Sequence, residues 1–225
     1  MEIAMPHASE KAQRHLLVLA NPVAESFDHA LAATYADVAR SYRQEVVVRD
    51  LNALAFDPVL KAAERPGAPA LKLAPDVEAE IAEITASDAI VLVYPIWFGG
   101  PPAILKGYVD RVFGAAYTFR QFREGVGQPH LKGKLLVSIT TSGTSIPWLG
   151  ERGQVISLRQ GFDVYLERGF GMHDSEHVSI DNVVPNLSER YAAEQLERVR
   201  EVAKETCAKL FERARLRDGL TLGAY

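Results

Sequence analysis

Three short stretches of this 225-residue chain carry residue types that could grip a flat, charged heterocycle. Asn21-Pro22-Val23-Ala24-Glu25-Ser26-Phe27 ends on a hydroxyl where a helix is predicted to begin, and the free amides of a helix start favour an anion such as phosphate. Pro95-Ile96-Trp97-Phe98-Gly99-Gly100 offers broad aromatic surface, with glycines that let backbone come close to a ligand. Thr140-Thr141-Ser142-Gly143-Thr144 supplies hydroxyls and backbone N–H groups beside a glycine, suited to the polar edge of a ring system. Taken singly, each stretch reads equally as a helix cap, a buried aromatic turn or an ordinary loop. Their weight lies in where the chain places them together.

Apolar strand runs at about 15–20, 45–49, 89–94, 134–141 and 177–183 alternate with amphipathic helices, the pattern of a parallel sheet covered on both faces. The run from Ala89 to Tyr94 is apolar throughout, as a strand buried on both sides requires. Helical stripes follow: Phe27, Leu31, Tyr35, Val38 and Tyr42, with Ser26 as N-cap; Val77, Ile81 and Ile84; then Ile104 to Phe113 behind Pro102. Val155, Leu158, Phe162 and Leu166 form a fourth stripe that Gly169 and Gly171 end, and Leu196, Val199, Ala203, Leu210 and Ala214 a fifth. In such a sheet ligands bind outside the carboxyl ends of the strands, and the three stretches follow the first, third and fourth strands. The connections 51–75 and 114–132 are long, and the first reads as an ordered excursion rather than a second domain.

Composition narrows the classes. A net charge of -4 with interspersed signs leaves no basic stripe for nucleic acid. The uncharged run 89–105 approaches membrane-span length, but Pro95, Pro101, Pro102, Gly99 and Gly100 would break it, so no membrane insertion is expected. Residues 1–14 read as a flexible tail without a secretory h-region, 15–225 as one domain, and the setting as cytoplasmic. The single cysteine, Cys207, falls on the last helical stripe and reads as a core thiol. No GxGxxG follows a strand, no Walker motif occurs, and Ser142 and Ser145 lack a GxSxG setting. His173-Asp174-Ser175-Glu176-His177 matches HxxEH, yet it lies beside a β-like run where two histidines cannot share a helical face, so no metal site is assigned.

In combination the three stretches resemble the NAD(P)H:quinone oxidoreductase family, the DT-diaphorase-like branch of the flavodoxin-like superfamily. Asn21-Pro22, Ser26-Phe27-Asp28, Asp50-Leu51, Phe56-Asp57-Pro58-Val59, Pro95-Ile96-Trp97-Phe98, the run from Pro102 to Phe113, Ala116-Tyr117 and Thr140-Thr141 carry the likeness. It implies an α/β flavodoxin-like three-layer sandwich with a five-stranded parallel sheet of order 2-1-3-4-5. It further implies a bound flavin, FAD with FMN as the alternative, NADPH or NADH as donor, a quinone-like small-molecule acceptor, ping-pong two-electron hydride transfer and a homodimer. By position Asn21, Ser26 and Phe27 would meet the flavin phosphate and ribityl chain, while Pro95, Ile96, Trp97, Phe98 and Gly99 would wall the isoalloxazine. Thr140, Thr141, Ser142 and Gly143 would line its pyrimidine side, and Tyr117, Phe119 and Trp148 the substrate pocket. Asn21 stands where the family has a histidine, Gly99 where it has another aromatic, and Ser142 where it has a glycine. The family's histidine after the fourth strand has no match, since Glu151 and Arg152 occupy that stretch, so no proton-relay residue is assigned. The other functions the chain could serve are a flavodoxin-like electron carrier and a flavin-binding ancillary subunit of a membrane transporter.

Overall fold

The computed structural model describes residues 12–222, with side chains to residue 217. Most of the expected tail, residues 1–11, lies outside the described residues. Five strands, β1 (Arg14–Leu19), β2 (Glu45–Asp50), β3 (Ala89–Pro95), β4 (Leu135–Thr141) and β5 (Asp174–Ile180), pair in parallel in the order 2-1-3-4-5. The register runs Leu16 to Val47 and Ile90, then Ile90 to Leu136, then Leu136 to Ser175. β3 and β4, in the middle, are buried along their whole length.

Helices cover both faces, and each face has its own core. α1 (Phe27–Ser41) and the long α8 (Glu189–Leu222) pack Leu31, Tyr35, Val199, Ala203 and Cys207 against Leu17, Val91 and Val137. The odd-numbered side chains of β1, β3 and β4 point to that face, as the two-residue period of a strand demands. Opposite them Leu16, Ile90, Leu92 and Leu136 meet α2 (Pro75–Thr85), α3 (Ala103–Tyr108) and α7 (Val164–Phe170). Burial pushes the Cys207 thiol up to about 11, which makes it an unreactive core group.

Two helices widen by one residue per turn partway along. α3 passes into a π-helical turn over Val109–Phe113, where Gly114 N–H donates to Val109 O. A second π-helical turn, Arg159–Asp163, separates α6 (Gln154–Leu158) from α7. That helix runs through Gly169 and stops at Gly171, the second of the two glycines expected to end it. Gly169 lies under the Phe122 ring, whose edge would sit 2.2 Å from an added Cβ, and the left-handed Gly171 (φ 71) ends the helix. The fifth strand also begins earlier than expected, at Asp174. As an edge strand it exposes polar residues on one side, and those residues hide it from a search for apolar runs.

The 51–75 connection is tied down by one side chain. Arg111 is buried; it forks onto Glu64 (2.7 and 2.9 Å) and Asp76 (2.7 and 3.1 Å), donates to Asp57 O at 2.6 Å, and stacks over Phe56. Pro58 meanwhile lies against Gly107 so closely that a Cβ there would fall 2.3 Å from Pro58 O. Within 114–132 a short helix, α4 (Phe119–Arg123), starts on a Thr118–Gln121 capping box. None of the helices among the described residues is long and apolar enough to cross a membrane.

Candidate functional site

Because β1, β3 and β4 are neighbours, the stretches that follow them emerge side by side at the carboxyl edge of the sheet. There they enclose one cavity of about 170 Å³, lined by Asn21 from the first, Pro95, Ile96 and Trp97 from the second, and Thr141, Ser142 and Gly143 from the third, with Val183 beside them. Ile96 N–H donates to Thr141 O at 2.7 Å and so joins the second stretch to the third.

Asp28 joins the third to the first. Buried in the first turn of α1, it accepts from Asn21 Nδ2 at 2.7 Å and from Thr141 Oγ1 at 2.8 Å. Burial raises the pKa of its carboxyl above the ordinary value, against the lowering effect of those two donors. Asn21 Oδ1 accepts from Val23 N–H as well, so its side chain braces the loop from within. Only the resemblance had drawn attention to Asp28; an acidic residue in the first turn of a helix is common enough to pass as a dipole effect.

Ser26 occupies the N-cap position of α1 but does not cap it: its hydroxyl pairs with His29 Nδ1 at 2.9 Å, and His29 Nε2 lies 3.3 Å from Asp50. The helix start therefore presents its first-turn amides without a side-chain oxygen over them, the arrangement an anion needs. Phe27 turns inward against the core.

The second stretch is a tight reversal in which Trp97 and Gly100 exchange backbone hydrogen bonds at 3.0 and 3.1 Å. Phe98 (φ 49) and Gly99 (φ 83) both adopt left-handed backbone, as a two-residue type I′ turn requires. A side chain in place of Gly99 would be strained at that φ. Trp97 walls the cavity, whereas Phe98 stands fully exposed and is not among its lining residues.

The substrate-pocket expectations divide. Tyr117 and Phe119 line a different cavity, of about 480 Å³, with Phe122, Phe162 and Tyr165. Tyr117 is buried with its hydroxyl on Gly169 O at 3.0 Å, while Phe119 is largely exposed. Trp148 sits on α5 (Ile146–Glu151), its ring 4.0 Å from the Arg152 guanidinium. Thr140 faces neither of these cavities; it lines a third, of about 100 Å³, that shares Ile96 and Ser142 with the cleft of about 170 Å³. The HxxEH run leads into β5: His173 precedes the strand, and within it His177 pairs with Asp163 and with Thr140.

Residues 13–203 match the family described as having a flavodoxin-like fold. An "Uncharacterized NAD(P)H oxidoreductase" of Haemophilus influenzae is 34% identical over 141 residues, which is 62% of this chain and 69% of that protein. The FMN-dependent NADH:quinone oxidoreductase 1 of Jannaschia is 31% identical over 120 residues, 52% of this chain and 59% of the relative. Among solved structures, the NAD(P)H:quinone oxidoreductase from Methanothermobacter marburgensis superposes with a TM-score of 0.72 at 22% identity, covering 86% of this chain and 96% of its own.

Proposed function

Since the chain belongs to the family with a flavodoxin-like fold, we propose that it is a flavin-dependent NAD(P)H:quinone oxidoreductase. One observation carries this reading: residues of all three stretches line a single cleft at the carboxyl edge of the sheet. The names of the Haemophilus and Jannaschia relatives support the nicotinamide and quinone parts of it.

The residues present suit a flavin. The open start of α1, next to Asn21, Ser26 and Phe27, takes the phosphate. Trp97, with Pro95 and Ile96, forms a wall for the ring system, while Phe98 and Gly99 make the turn beside it. Thr141, Ser142 and Gly143 border its polar edge, with Thr140 behind them on the smaller cavity. Thr141 donates to Asp28 and Ser142 Oγ to Thr144 O at 2.7 Å, so the donors we assign to that edge are the Gly143 and Thr144 amides. A flavin bound there would accept hydride from NAD(P)H and pass it to the quinone. The protein's part is to hold both reactants against the ring in turn and to keep water from the transfer.

Flavin identity follows the part of the molecule beyond the first phosphate. The resemblance implies FAD, and the Jannaschia relative is named for FMN; the mass of the flavin released on denaturation decides between them. For the assembly we propose a homodimer, supported by the exposed Trp97, Phe98, Phe119, Trp148, Ile156 and Tyr165. In it Phe119 and Trp148 reach a partner's substrate pocket, while Tyr117 stays buried beside Phe119 in the cavity of about 480 Å³. Sedimentation at micromolar concentration should give twice the chain mass, and a monomer would remove the shared pocket. The activity test is steady NADPH or NADH oxidation with menadione by the yellow protein. A protein that stays colourless after flavin addition would overturn the reading, and flavin without nicotinamide turnover would make it an electron carrier.

A further inference from the structure

Behind the third stretch lies a buried polar array whose Asp163 and His177 the proposed flavin contacts do not use. Asp163, on the π-helical turn, is fully buried; it accepts from Ser138 Oγ at 2.6 Å and pairs with His177 Nδ1. His177 Nε2 lies 2.8 Å from Thr140 Oγ1. With the carboxylate holding a proton on Nδ1, Nε2 is the atom that gains or loses the second proton. His177, Thr140, Ser142, Ser179 and Arg159 line the cavity of about 100 Å³, room for roughly three waters. Ile96 and Ser142 wall both this cavity and the cleft.

Resting on the functional reading above, we propose that His177, positioned by Asp163, supplies the proton that completes reduction of the acceptor. NAD(P)H plus quinone plus one proton gives NAD(P)+ plus hydroquinone. The two electrons and one hydrogen come from the nicotinamide as hydride. The remaining proton leaves His177 Nε2, crosses the small cavity through water, and forms the second O–H bond of the hydroquinone; solvent then reprotonates the imidazole. The groups facing His177 are Asp163 and Arg159 from the π-helical turn and Thr140 and Ser138 from β4. Glu167 of α7 bonds Ser175, two residues along the same face of β5. The Tyr94 phenol is held protonated by burial and by the Asp163 charge, and α5 and α6 contribute apolar walls.

The test separates the half-reactions of the flavin-loaded protein by stopped flow from pH 5.5 to 9, in H2O and D2O, for the wild type and His177→Gln. The variant should react with NADPH within about twofold of wild type. Its reaction with menadione should slow at least tenfold and lose both an ionisation and a solvent isotope effect that the wild type shows. Asp163→Asn, which alters the acceptor of Nδ1–H, should slow the same half-reaction selectively. In the flavin-free protein, 15N NMR should show a proton on His177 Nδ1, the nitrogen that faces Asp163. Equal slowing of both half-reactions with an unchanged solvent isotope effect, or a His177 whose Nδ1 carries no proton, would overturn the proposal and make the array a clamp on the edge strand. A wild type that binds no flavin would instead defeat the functional reading, while the NMR result still judges the array.

Discussion

His15 and Asp28 are both buried ionisable groups, and their pH effects have opposite signs. His15 sits between Tyr35 Oη at 3.0 Å and Gln44 Oε1 at 2.6 Å; since Gln44 Oε1 can only accept, Nε2 carries the proton and Nδ1 accepts from the phenol. Burial lowers its pKa below the ordinary 6.5. Below that pH the unfolded chain binds a proton that the folded chain refuses, so stability falls as pH drops from 6.5, by at most about 1.4 kcal/mol per pH unit for one group. Thermal unfolding between pH 7.5 and 5 should show that slope in the wild type and a shallower one in His15→Asn; equal slopes would refute the assignment. Asp28 is the reverse case: its raised pKa means that the folded chain holds a proton more tightly than the unfolded one, so its contribution to stability is lost as pH rises through the folded pKa. A carboxylate kept despite that cost has its use in joining Asn21 to Thr141. Asp28→Ala, which relieves the burial while orphaning two donors, should change stability by only about 1 kcal/mol. It should weaken flavin retention at least tenfold by equilibrium dialysis; unchanged retention would show that the joint does not shape the cleft.

Between elements the decisive contact is a glycine against a proline. Phe56-Asp57-Pro58-Val59 and the run from Pro102 to Phe113 look in the sequence like two separate family landmarks, yet the structure makes them partners: Pro58 on Gly107, and Phe56, Asp57 and Glu64 on Arg111. Gly107→Ala should destabilise the protein by about 1–3 kcal/mol, the ordinary result of forcing a methyl into a filled space. The cause is backbone at 2.3 Å, which cannot rotate away as a side-chain tip could. Denaturant titration measures this, and a change under about 0.5 kcal/mol would mean that the excursion lifts off at little cost. The strands and the helical stripes were legible because apolar residues recur at their periods. Arg111 was not, since a charged residue on a helix predicts solvent, and only the partners arriving from 51–75 turn it inward. The early start of β5 was missed for a related reason: Asp174, Ser175 and Glu176 satisfy an edge strand through backbone pairing with β4, which composition does not reveal.

Across the whole molecule, parallel strands in the order 2-1-3-4-5 deliver the carboxyl ends of β1, β3 and β4 to one edge, with the reversal of strand order between β1 and β3. That convergence was readable from the order of strands and loops alone, and with it Asn21, Trp97 and Thr141 as neighbours. The division between Trp97 and Phe98 was not, because it depends on two successive left-handed residues that turn one ring onto the cleft and the other into solvent. This division gives a stability prediction. A ligand at a hundred times its dissociation constant adds about 2.7 kcal/mol to the folded state. For a chain of this length that should raise the melting temperature by about 5–11 °C. Differential scanning fluorimetry with saturating flavin should show the rise in the wild type and in Phe98→Ala. Trp97→Ala, tested at the same flavin concentration, should lose most of it, since removing one wall of the cleft weakens binding without touching the core. If Phe98→Ala abolishes the rise and Trp97→Ala keeps it, the ring system lies on the outer side of the turn and the cleft is not its seat.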